Sequence, residues 1–129
     1  MEFTWQGDYF DTETTFGRLQ VSGEDEHGFR PFQLMVTSIA VCSASVLRKV
    51  LEKQRMEVTS LTVDADVTRN EAEANRIEAI ALHYRIEGSN LAEKKVARAV
   101  DMAAKNCPMA RTVEGSVDIS ETFELSSSD

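Results

Sequence analysis

The chain has 129 residues, 42% of them hydrophobic and 28% charged. That length suits about one domain, and that apolar share suits a packed core, which excludes wholesale disorder. Acids outnumber bases by 22 to 14, a net charge of −8, which argues against nucleic acid as a partner because a phosphate backbone is bound mainly through Lys and Arg.

Met1 to Tyr9 lacks the basic start and apolar run of a signal peptide. Phe3 and Trp5 alternate with polar neighbours and predict a first strand, with Phe16 to Val21 as its hairpin partner. A polar loop follows, Gly23 to Gly28, and its His27 reads as solvated. Pro31, a favoured first-turn residue, opens a helix that runs through Leu34, Met35, Ile39, Cys42, Leu47 and Leu51. Its first four turns carry no charge on any face, and a helix without a polar face is buried on all sides. A chain this small cannot wrap it alone, so a second subunit is expected to cover part of it. The uncharged run, Pro31 to Leu47, falls short of the ~20 apolar residues of a membrane span. A cytoplasmic location with no membrane contact is therefore expected.

From Leu61 to Val67 the odd positions are apolar and the even ones polar, the period of a half-buried strand. Ile80, Leu82, Tyr84 and Ile86 give the next strand, joined to the first through the short polar link Asn70 to Asn75 as an antiparallel hairpin. Asn90 and Glu93 form the pattern of a capping box at the head of a second helix, whose Val96, Ala99, Val100 and Ala103 share one face. Pro108 ends that helix by Cys107. Val117, Ile119, Phe123 and Leu125 make a last alternation, with Glu121 as its odd member. Residues 126–129 read as a frayed tail. The predicted order is β-β-α-β-β-α-β in a single domain, 1–129: an α+β fold with mostly antiparallel sheet around a buried central helix.

The two cysteines and two histidines are scattered with no CxxC or HxxxH, so no metal site is expected. His83 reads as structural, and Asp64, Asp66, Glu71 and Glu73 read as solvated faces and turns. No phosphate-binding or nucleotide-binding glycine motif is present, and no organic cofactor is expected. By itself Cys42 reads as a small core residue, although Ser38 and Ser45 flank it along one helix face. Cys107-Pro108 is more pointed. If Met109 to Val113 forms a helical turn, Cys107 caps it, and the helix dipole lowers the thiol's pKa there. Whether two cysteines so far apart in sequence meet is a matter of tertiary structure.

Four segments in this order resemble the OsmC/Ohr family, and its short-loop, YhfA-like subgroup in particular. They are Trp5-Gln6-Gly7-Asp8, Arg30-Pro31-Phe32-Gln33-Leu34, Ala40-Val41-Cys42-Ser43-Ala44, and Lys105-Asn106-Cys107-Pro108-Met109-Ala110-Arg111-Thr112. The resemblance implies an intertwined homodimer and a thiol-dependent peroxidase acting on organic hydroperoxide or hydrogen peroxide. It implies Cys42 as the attacking thiolate and Cys107 as the thiol that resolves its sulfenic acid to a disulfide. A small dithiol or lipoyl-type reductant would reopen the bridge. Arg18 is the expected activating cation, with Arg30 and Arg111 as the other candidates. Phe29, Phe32, Gln33 and Met35 are the expected substrate contacts. Well-studied members place a glutamate after the helix-opening proline, where this chain has Phe32 and Gln33. That departure keeps open a second reading: a weak or inactive OsmC-like dimer that binds an apolar small molecule in the cleft between subunits.

Overall fold

A computed structural model describes residues 1–127. The elements in order are β1 (Thr4–Trp5), β2 (Phe10–Glu13), β3 (Arg18–Val21), α1 (Pro31–Lys53), β4 (Glu57–Asn70), β5 (Arg76–Ser89), α2 (Glu93–Asn106), α3 (Pro108–Thr112) and β6 (Asp118–Ser127). The fold is α+β, as the sequence predicts, with one strand and one short helix more than predicted. The chain divides into two compact units, Met1–Thr37 and Ser38–Asp129.

The first unit is an antiparallel sheet in the order β1-β2-β3. Phe16 to Val21 is not the partner of the first strand, as the alternation predicts. β2 lies between them, pairing Trp5 with Phe10 on one side and Phe10 with Val21 on the other. The tight β1–β2 turn closes through Gln6 N–H donating to Tyr9 C=O at 2.8 Å, and Gly7 takes the φ of 105° that this turn requires. The Trp5 and Phe10 rings then meet at 5.1 Å.

The second unit carries the main core. β4 and β5 form a long antiparallel hairpin through the predicted polar link. β6 returns alongside β5 in parallel, after the α2–α3 crossover, so the sheet order is β4-β5-β6. Period-two burial is complete on β5, where Ile80, Leu82, Tyr84 and Ile86 are all buried. The buried face of α2 is the predicted one: Val96, Ala99, Val100 and Ala103. Its head differs from the capping box. Ala92 is the N-cap and makes no side-chain cap hydrogen bond, while Asn90 sits at φ 60° and turns the chain out of β5. Ser126 and Ser127 belong to β6 rather than to a frayed tail, whose residues 128 and 129 lie outside the described residues.

α1 opens with the Leu34 N–H donating to the Arg30 C=O at 3.0 Å, so Pro31 is the first helical residue and its missing donor costs nothing. Its 23 residues are long and apolar enough to cross a membrane by length and composition, more than the uncharged run alone indicates. Within this chain one stripe is buried, Ile39, Ser43, Leu47 and Leu51 at helical spacing, as in a core helix. The burial on all sides expected from the sequence is not met by one chain: Val41 stays 56% exposed.

Candidate active site

Cys107 is the hinge between α2 and α3. Pro108 stops α2 at Asn106 and starts α3, so Cys107 takes an extended conformation and becomes the N-cap of the new turn. The Ala110 N–H donates to its Sγ at 3.4 Å. The thiol is fully buried, 4.0 Å from the Ile39 carbonyl oxygen of α1. Three residues beyond Ile39 along the same helix stands Cys42, half-buried. Both cysteines are free, and their sulfurs lie within hydrogen-bonding reach of each other. The fold thus brings together the two thiols that the sequence leaves apart.

Their environments push them in opposite directions. Burial raises the Cys42 pKa above the ordinary thiol value, and a charge on Cys107 raises it further, against the pull of the Met109 N–H. Burial works against a thiolate at Cys107 too. There, however, the Ser43 hydroxyl, the Ala110 N–H, the Cys42 thiol and the Met109 N–H together outweigh it, and the pKa falls below the ordinary value. The pair thus favours a thiolate on Cys107 over one on Cys42.

Three polar side chains behind the thiols escaped sequence reasoning. Ser43, Tyr84 and Glu121 are buried at their polar atoms, and none of these atoms makes a regular hydrogen bond within the protein. Burial lifts the Tyr84 phenol far above its usual range, reinforced by Glu121 next to it, while Ser43 on its other side pulls it down. Burial also raises the Glu121 carboxyl, Tyr84 opposes this, and Asp101 adds to it. Glu121 had left a signal as the one charge on an apolar strand face. Ser43 had left none: attention falls on Ser38 and Ser45, which are exposed, while Ser43 is the buried hydroxyl.

The remaining predicted residues lie in the first unit, except Arg111, which is in the second. Arg18 on β3 pairs with Asp11 at 2.8 Å and donates to the Tyr9 hydroxyl at 3.2 Å, which raises its own pKa and lowers that of Asp11. Arg30 lies over the Phe32 ring at 4.7 Å and 3.6 Å from Asp25. Phe29 bridges to Val21 by its backbone and leaves its side chain 61% exposed. Gln33 and Met35 sit in the first turns of α1, both exposed. Arg111, in α3, is paired with Glu114 at 3.1 Å. The roomiest described cleft, about 730 Å³, is lined by Arg48, Arg55 and Met56 among others and by neither thiol. Among the described residues one trio has carboxylate and imidazole atoms close enough to share a metal, Glu24, Glu26 and His27, in the polar loop.

The profile of the family described as OsmC-like protein matches residues 23–122. Protein YhfA of Escherichia coli is 31% identical over 96 residues, covering 74% of this chain and 72% of YhfA. A hypothetical protein from Aquifex aeolicus has a similar structure, with a TM-score of 0.89 at 24% identity over 99% of this chain and 96% of that one. An organic hydroperoxide resistance protein from Legionella pneumophila shares the fold at a TM-score of 0.71 and 21% identity, over 96% of this chain and 97% of its own. With its frame of two helices, two cysteines and a crossover to a parallel last strand, the chain belongs to the OsmC-like protein family.

Proposed function

We propose that this chain is a thiol-dependent peroxidase that reduces organic hydroperoxides or hydrogen peroxide in the cytoplasm. The observation that carries the proposal is the pairing of half-buried Cys42 with buried Cys107. Cys42 is the partner open to a substrate, while Cys107 is fully buried. Once Cys42 loses its proton, its thiolate attacks the hydroperoxide. The O–O bond breaks, one oxygen stays on sulfur as sulfenic acid, and the other leaves as the alcohol after taking up a proton. Cys107 then displaces hydroxide from that sulfur to give the disulfide, and a small dithiol or lipoyl-type reductant restores both thiols.

The rest of the proposal follows the resemblance: Arg18 as the activating cation ahead of Arg30 and Arg111, Phe29, Phe32, Gln33 and Met35 as contacts for the organic part of the substrate, and a homodimer as the working unit. The pairing of two thiols favours this reading over that of an inert carrier of an apolar ligand. Equimolar cumene hydroperoxide added to the reduced protein is expected to give an intrachain Cys42–Cys107 disulfide, read by mass spectrometry. Turnover with a dithiol is expected to vanish in Cys42→Ser. If the wild-type protein turns over no faster than that variant, the proposal is wrong.

A further inference from the structure

Glu121 is a carboxyl group on the core face of β6. In the parallel β5–β6 register it stands opposite Leu82, with Phe123 opposite Tyr84, so Glu121 and the Tyr84 ring share one face of the sheet. Both of its oxygens are buried. The Tyr84 hydroxyl lies between Glu121 and Ser43, and Ser43 in turn reaches the Cys107 sulfur. Buried hydroxyls and a buried carboxyl without regular hydrogen bonds are costly, and a hydrocarbon core would serve packing better. They do, however, place exchangeable groups one after another from β6 to the thiols.

We infer that Glu121 is the proton store of the thiol pair, connected to Cys107 and Cys42 through Tyr84 and Ser43. The inference rests on the reading of the cysteines as a disulfide-forming pair. The thiolate is the attacking form, so the reacting pair carries one proton, yet reduction of a hydroperoxide to alcohol and water with closure of the bridge consumes two. The balance is Cys42–S⁻ plus Cys107–SH plus ROOH plus Glu121–COOH, giving the disulfide, ROH, water and Glu121–COO⁻. The dithiol that reopens the bridge supplies two protons; one stays on the pair and the other returns to Glu121. Burial and the Asp101 carboxylate on α2 favour a protonated Glu121, while Tyr84 on β5 pulls the other way. Lys105 on α2, Arg111 in α3, Asp118 on β6 and Glu114 line, together with Glu121, one cleft of about 320 Å³.

The test uses diamide, which oxidises two thiols to a disulfide with the same demand for one extra proton and involves no peroxide. Infrared difference spectra are recorded for the reduced and diamide-oxidised protein, with bridge formation checked by mass spectrometry. The reduced wild-type protein is expected to show a buried carboxylic-acid C=O band. That band is absent in Glu121→Gln, disappears when the bridge closes and returns with dithiothreitol. In Tyr84→Phe, which removes only the hydroxyl, the band is expected to persist through oxidation. A wild-type band that survives oxidation, a spectrum identical in Glu121→Gln, or a pair that diamide leaves reduced would each overturn the inference. A band that responds to diamide in a protein indifferent to hydroperoxide would instead overturn the peroxidase reading and leave the proton store standing.

Discussion

At Cys107 two local facts combine: a helix that starts at Pro108 and presents its N–H groups to the sulfur, and a neighbouring thiol on α1 that donates to it. Each favours the thiolate. If the charge on Cys107 is part of what holds Cys42 protonated, then Cys107→Ser removes that opposition and the Cys42 pKa falls, although burial still holds it up. Conversely, Cys42→Ser removes a donor and the Cys107 pKa rises. The measurement is the pH profile of thiolate absorbance and of iodoacetamide labelling. The midpoint of Cys42 in Cys107→Ser is expected below its wild-type value, and that of Cys107 in Cys42→Ser above its own. An unchanged midpoint in either variant would mean that the sulfurs do not interact. The cap of α3 was legible in the sequence because Cys-Pro is a local signal. The thiol pairing was not, since no local pattern reports a contact between residues 42 and 107.

At the scale of elements, β5 is the strand on which the second unit depends, since it is paired on both sides, with β4 antiparallel and β6 parallel. Its end is also where backbone crosses backbone most closely. A Cβ placed on Gly88 would collide with the Glu57 carbonyl oxygen across the strand pair, beside the irregular register between Val58 and Ser60. Backbone cannot swing aside as a side chain does. Gly88→Ala is expected to cost about 1–3 kcal/mol or more in chemical denaturation. Gly17→Ala, in the β2–β3 turn with open space around it, is expected to cost far less. Equal midpoints for the two variants would contradict the close approach. Long periodic elements were readable from sequence for a physical reason: β4, β5 and α2 each repeat their apolar spacing often enough to exclude another register. β2 was missed because Phe10–Glu13 is short and polar, with no repeat to read. The α2 head was misread because Asn90 serves equally well as a cap or as a left-handed turn residue, and the chain uses it for the turn.

For the molecule as a whole, the remaining question is what covers the apolar surface that one chain leaves open. α1 buries a single stripe, and its exposed side still carries two apolar residues among its polar ones: Val41 is 56% exposed and Met35 45%. Trp5, Phe10 and Phe16 are exposed as well. Scattered apolar residues at a surface need no explanation, but four uncharged helical turns with exposed Val41 and Met35 do. Water solvates such a helix poorly, and a second copy of the same helix supplies a matching face, the isologous contact of a twofold dimer. The chain is therefore expected to elute and scatter light as a dimer. Val41→Glu places a charge in the middle of that face, where burial without a partner is penalised. It is expected to shift the equilibrium to monomer and to lower α1 stability along with it. Arg18 sharpens the test. If peroxide turnover needs a cation supplied across the dimer, Val41→Glu loses turnover at low protein concentration and regains part of it as concentration rises. Turnover per chain that is independent of concentration, in a variant shown to be monomeric, would place the complete active site within one chain.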